Sequence, residues 1–96
     1  MNEDAILKAL SHPMRRQMLV WLRAPAQHFP DQRLPHELGV CAGQFARCGL
    51  PQSSVSSHLA VLTAAGLIVP EKIGQWVFYK RDEAVIARFR DRMAEL

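Results

Sequence analysis

Leu50-Pro51-Gln52-Ser53-Ser54-Val55-Ser56-Ser57-His58-Leu59-Ala60-Val61-Leu62-Thr63-Ala64-Ala65-Gly66-Leu67-Ile68-Val69-Pro70 decides the reading of this 96-residue chain. Val55, Leu59 and Leu62 recur at i, i+4 and i+7 and share one stripe of a helix, while Ser53, Ser54 and Ser57 point away from it. The spacing predicts a helix to about Ala65, closed by Gly66 as a left-handed cap. A helix held by one apolar face and lined on the other by short hydroxyls can approach base edges or phosphates without filling a groove. Gly49-Leu50-Pro51 supplies a turn from a short preceding helix, about Ala42 to Arg47 with Phe45 as its core anchor. Helix, turn and polar-faced helix together imply double-stranded DNA as the partner.

Outward from this stretch, further segments carry a resemblance. Ala9-Leu10-Ser11-His12-Pro13-Met14-Arg15-Arg16 joins two helices, Gln52 to Leu59 opens the central helix, and Ala65-Gly66-Leu67-Ile68 leaves it. Glu71-Lys72-Ile73-Gly74-Gln75-Trp76-Val77-Phe78-Tyr79-Lys80 then forms two strand-like runs around a tip at Ile73-Gly74. In this order the four segments resemble the arsenic-repressor-type (ArsR) family of winged helix-turn-helix regulators. The resemblance implies a mainly α fold with a small β-hairpin wing, five helices, a dimer, and a repressor of transcription.

The remaining pattern fits one domain over residues 1–96. A domain this short buries only roughly 60 to 65% of its unfolded surface, and 49% hydrophobic residues exceed what a small core needs. Pairing with a second copy accommodates the excess. A first helix is expected from about Asn2 to Leu10, with Asn2 as cap and Glu3 and Asp4 at its positive end. Ser11 and Pro13 are expected to cap and start a second helix to about Leu22, burying Met14, Met18, Trp21 and Leu22. Asp82 is placed to cap a last helix whose Val85, Ile86, Phe89 and Met93 form a stripe for the dimer interface, completed by the first helix. Between helices two and three, residues 24–38 contain Pro25, Pro30 and Pro35 and read as an irregular insert, either functional or a tolerated surface loop.

The candidate DNA-binding residues follow from chemistry and position. An amide such as Gln52 can pair with adenine, and Ser53, Ser54 and Ser57 can donate or accept at base edges. Following the family pattern, Ser56 and His58 take supporting roles at phosphate or within the motif; Pro51 stands where the family often has a serine cap. Lys72, Gln75, Lys80 and Arg81 flank the wing, where cations neutralise backbone phosphates. Arg15 and Arg16 read either as helix-surface or structural charges or as phosphate contacts. Trp76, Phe78 and Tyr79 alternate too imperfectly for a base-stacking platform, so some pack on the core and one is left to shield the base of the wing.

Several classes are excluded or set aside. A net charge of +3 favours a polyanionic partner without requiring one. No nucleophile elbow, paired carboxylates or phosphate-cradling glycine loop supports an enzyme. No apolar run approaches a membrane span, and Asn2-Glu3-Asp4 does not open a secretion signal, so a cytoplasmic protein without a membrane partner is expected. No cofactor is implied. The family's thiol pair would fall in Glu37-Leu38-Gly39-Val40-Cys41, but Gly39 replaces the first cysteine, and the last helix has no histidine. No metal site is therefore expected, and the effector is not specified. Cys41 and Cys48, ~10 Å apart on a continuous helix, are packing thiols or a redox pair if Cys41 sits on a flexible loop. The rivals to a DNA-binding regulator are a winged-helix module that binds protein and a redox-responsive regulator using these cysteines.

Overall fold

The computed structural model describes residues 1–96. Asn2 caps the first helix, α1 (Glu3–Leu10), its side chain accepting the Ala5 N–H at 3.0 Å. The three carbonyls that end α1 are taken by side chains within the next six residues of chain. Ser11 Oγ donates to Lys8 O at 2.6 Å, Arg15 Nε to Ala9 O at 2.6 Å, and Arg16 Nη1 to Leu10 O. Orphan carbonyls at a helix C-terminus carry partial negative charge, which guanidinium groups complement. Arg15 and Arg16 are thus structural, and the partners that hold them here are backbone carbonyls.

The second helix, α2 (Pro13–Arg23), starts with Pro13, but its cap is His12 and not the expected Ser11. His12 Nδ1 accepts the Met14 N–H at 3.0 Å, while Ser11 closes α1. Met18, Leu19 and Leu22 are buried; Met14 and Trp21 pack partly buried against the same core.

The insert is ordered and enters the core. It contains a one-turn helix, α3 (Pro25–His28), and a 3-10 turn (His36–Leu38), neither anticipated from sequence. Phe29 is 1% exposed. Gln32 ties the segment down: its Nε2 donates to Leu34 O and Gly39 O at 3.1 and 3.0 Å, and its Oε1 accepts the Cys41 N–H at 2.9 Å. Gly39 is required where the insert meets the sheet, because its φ is 105° and an added Cβ would lie 2.6 Å from Tyr79 O.

A two-residue strand, β1 (Val40–Cys41), follows, then a 3-10 helix (Ala42–Cys48) where a short α-helix was expected. Phe45 is fully buried, as anticipated. After the Gly49 turn comes α4 (Gln52–Ala64), with Val55, Leu59 and Leu62 buried. Its end is a Schellman pair: Gly66 N–H donates to Thr63 O, and Leu67 N–H to Leu62 O, at 3.0 and 3.1 Å. The wing is β2 (Ile68–Ile73) and β3 (Trp76–Arg81), antiparallel with Ile73 opposite Trp76. The wing is also more than a hairpin, because β1 pairs with β3 through Val40–Tyr79 and Cys41–Phe78, giving the sheet order β1-β3-β2. A two-residue strand is too short to leave a period in the sequence. Asp82 caps α5 (Glu83–Ala94), accepting the Val85 N–H at 3.2 Å, and Arg92 pairs with Glu3 to bring α5 beside α1.

Because Phe29 is buried among Trp21 and Phe45, with ring centroids 6.3 and 5.3 Å away, the insert is part of the folding unit. Phe29→Ala is expected to lower unfolding free energy by about 3 to 5 kcal/mol in urea denaturation; a tolerated surface loop would give a change within error.

Candidate nucleic-acid interface

The exposed side of α4 is set by the residues that are not needed to hold it. Gln52, Ser53, Ser56, Ser57, Ala60 and Ala64 face solvent, whereas Val55, Leu59 and Leu62 fix the opposite side. Ser56 is exposed but lies to the side of that face, on the edge it shares with Gln52; Ser54, expected on the open face, is half-buried. At 100° per residue Ser54 and His58 lie on the same edge, turned toward α2. Pro51 is the N-cap itself and supplies no side-chain hydrogen bond, although its carbonyl accepts from Ser54 and Val55 at 3.0 and 3.1 Å. Gln52 also borders a small apolar recess of about 120 Å³ with Ala42, Ala46 and Leu50. No Lys, Arg, Asp or Glu occurs anywhere in α4.

The wing supplies the charge. Lys72, Gln75 and Lys80 are exposed on β2, at the tip and on β3. Arg81 does not belong with them. Its side chain is only 10% exposed, with Nη1 donating to Leu19 O at 3.2 Å and Nη2 pairing with Glu83 at 3.0 Å. It bolts the end of β3 to α2. Of the wing aromatics, Phe78 is buried and Tyr79 packs on the core, while Trp76 stands exposed opposite Ile73 near the tip and borders a recess with Gln32, Cys41 and Gln44.

His58 joins the recognition edge to α2. Its Nδ1 lies 3.2 Å from Arg15 Nη1, and its ring centroid 4.4 Å from that of His12. Burial, then the neighbouring His12 and Arg15, push His58 below the ordinary imidazole range. Sequence inspection placed His58 near the motif but missed His12 and Arg15 as its partners, since they are more than forty positions away.

The thiols are not arranged for a bond. Cys41 is held in β1 by its partner Phe78 and by Gln32, so the flexible loop that a Cys41–Cys48 disulfide requires is absent. Along the intervening 3-10 helix the separation is roughly 14 Å, against the ~7 Å limit for a disulfide. Both are free and half-buried. No cluster of three or more His, Cys, Asp or Glu is placed to hold a metal ion.

No protein-family model matches the chain. It is 41% identical to the HTH-type transcriptional regulator YbzH of Bacillus subtilis over 98 residues, covering 95% of this chain and 94% of that protein. It is 35% identical over 75 residues to the HTH-type transcriptional repressor SmtB of Mycobacterium tuberculosis, covering 78% of this chain and 47% of that longer protein. Among solved structures, HlyU from Vibrio cholerae N16961 superposes with a TM-score of 0.63 at 30% identity, covering 90% of this chain and 82% of that one. The transcriptional regulator HlyU from Vibrio vulnificus CMCP6 gives 0.61 at 28% identity, covering 95% and 83%.

A histidine whose folded-state pKa is lowered contributes stability that is complete above its unfolded value and is lost as pH falls through the folded one. Melting temperature is therefore expected to decline as pH drops from 7.5 through the ordinary imidazole value near 6.5 and below. His58→Gln, which retains an acceptor for Arg15, should flatten that decline; equal slopes for the two proteins would remove His58 from the account.

Proposed function

The chain belongs to the arsenic-repressor-type family of winged helix-turn-helix transcriptional regulators, and from that premise we propose that it acts as a homodimeric repressor in the cytoplasm, reading a two-fold related operator through α4. The observation that carries this is the division of α4 into a buried apolar stripe and an open, uncharged polar face. Gln52, Ser53, Ser56 and Ser57 are assigned to base edges in the major groove, with Ser54 and His58 at its edge. Lys72, Gln75 and Lys80 are assigned to the phosphate backbone, where they add affinity without sequence information. No helix is long and apolar enough to cross a membrane.

Pairing is supported by surface that one copy leaves uncovered. None of α5 is buried, and its Val85, Ile86, Phe89 and Met93 are each half-exposed. Leu7 on the neighbouring α1 is 47% exposed. Two copies joined along α1 and α5 would present two α4 helices to successive major grooves, about 34–36 Å apart. Phe89→Ala is expected to shift the protein toward monomer in sedimentation at micromolar concentration; an unchanged dimer would put the interface elsewhere.

Selection of bound sequences from random duplexes should recover a two-fold symmetric site. On that site, alanine at Gln52, Ser53 or Ser57 is expected to relax preference by about 1 to 3 kcal/mol per lost base contact while nonspecific binding stays nearly intact. Uniform weakening would reassign the residue to phosphate, and absence of any effect would favour a protein-binding role for this face. Lys72→Ala or Lys80→Ala should instead weaken binding on every sequence and reduce the salt slope by about one. If both slopes stay at the wild-type value, the wing does not touch the backbone.

A further inference from the structure

At the joint between α2 and α4 two imidazoles have their tautomers fixed by their neighbours. His12 Nδ1 accepts the Met14 N–H, so it holds the ring's lone pair. His58 Nδ1 faces Arg15 Nη1, and a guanidinium has donors only, so that nitrogen accepts too. A neutral imidazole has one N–H and one lone pair; with both lone pairs on Nδ1, both protons sit on Nε2. Neither Nε2–H has an acceptor within the chain. The only buried side-chain polar atom without a partner is Arg81 Nε, so the His58 Nε2–H is open to solvent, and His12 as a whole is exposed.

The surroundings are cationic and unpaired. The ion pairs of the chain are Arg81–Glu83, Arg92–Glu3 and Arg92–Glu95, so no carboxylate neutralises Arg15, Arg16 or either histidine. A pair of N–H donors without lone pairs, backed by guanidinium charge, fits an anionic oxygen. It does not fit a metal ion, which would need the Nε2 lone pairs that these tautomers lack. The depressed proton affinity of His58 keeps its ring in the neutral donor form at neutral pH.

We propose that His12 and His58 form a seat for one backbone phosphate of bound duplex DNA, with Arg15 as the residue that positions His58. This contact rests on the DNA-binding reading above and extends it from α4 and the wing to the junction of α1 and α2. It clamps the edge of α4 that carries Ser54, opposite the edge that carries Gln52 and Ser56. The donors are uncharged, so the contact adds affinity without releasing a counterion of its own. The lysines of the wing differ in this respect.

The test is fluorescence anisotropy with a labelled mixed-sequence duplex at mildly alkaline pH, over a series of salt concentrations. His12→Ser keeps an oxygen to cap α2, and His58→Gln keeps both an acceptor for Arg15 and an N–H donor. His12→Ser and His58→Ala are each expected to weaken binding about tenfold on all sequences, the loss of one hydrogen bond to a charged group. The salt slope should remain that of the wild type, and His58→Gln should retain most of the affinity. The double variant His12→Ser/His58→Ala should lose little more than either single change, because one phosphate is shared. Wild-type affinity in His12→Ser, with an unchanged melting temperature, would overturn the seat even if His58→Ala failed to fold. A salt slope reduced by one would also overturn it, by making the contact cationic. Failure of the wild-type protein to bind any duplex would instead sink the DNA-binding reading, and the seat with it.

Discussion

Phe45 is the contact on which both halves of the candidate interface depend. Its ring lies 5.3 Å from Phe29 and 6.4 Å from Tyr79, each edge to face, and Phe29 continues the column to Trp21 at 6.3 Å. Edge-to-face pairs add about 0.5 to 1.5 kcal/mol each beyond the area they bury. The column therefore joins α2, the insert, the 3-10 helix before α4, and the central strand of the wing. Arg47, whose guanidinium lies 5.6 Å from the Trp21 ring and 5.5 Å from the Phe29 ring, closes its solvent side. A shift of Phe45 would move the start of α4 and the root of the wing together. Their spacing, which a DNA groove would sense, is thus fixed by one aromatic contact set.

The elements that sequence revealed are those with a period, a strand-rich composition or a capping side chain. Val55, Leu59 and Leu62 located α4, runs rich in Ile, Val, Phe, Trp and Tyr around Ile73-Gly74 located the wing, and Asn2 and Asp82 behaved as the caps their side chains suggest. Three prolines in fifteen residues made the insert look irregular, which is correct for its backbone and misleading for its burial. Phe29 and Gln32 are single residues with no repeat to mark them, and their partners are brought in by the fold. The same limit hid β1, whose two residues cannot show alternation. His12 was missed as a cap because Ser11 beside it is the commoner capping residue. The serine is instead drawn to the carbonyl of Lys8, leaving the imidazole for Met14.

The candidate site was legible to a similar depth. The open face of α4 follows from helical geometry alone, but its edges do not: Ser54, expected to be open, is half-buried, while Ser56 on the opposite edge is exposed. Whether a polar residue at the margin of a helix is open or covered depends on the neighbour packed there. Here the neighbour on the Ser54 side is the start of α2, with Arg15 and His12, and nothing local to residues 50–70 encodes it. Arg81 illustrates the same point for charge. Its position at the end of the wing suggested phosphate, yet the strand brings it under α2, where Leu19 O and Glu83 occupy it.

The distribution of charge bears on how affinity and specificity would be divided. α4 itself carries no Lys, Arg, Asp or Glu, so in the proposed complex it can offer hydrogen bonds and shape but little electrostatic attraction. Electrostatic attraction must then come from around it: from Lys72 and Lys80 on the wing side, and from the positive field of Arg15 and Arg16 behind the uncharged imidazole donors on the other. At that junction Arg15 and Arg16 are committed to the carbonyls of α1 and keep their full charge, because a carbonyl orients a guanidinium without neutralising it. The same two residues that terminate one helix therefore hold a positive field beside the next. Such a field acts on any duplex, whereas discrimination rests on uncharged groups that contribute only when a base edge matches. A protein built this way would lose its grip on all DNA as salt rises, while its ranking of one sequence over another, set by short-range hydrogen bonds, would change far less.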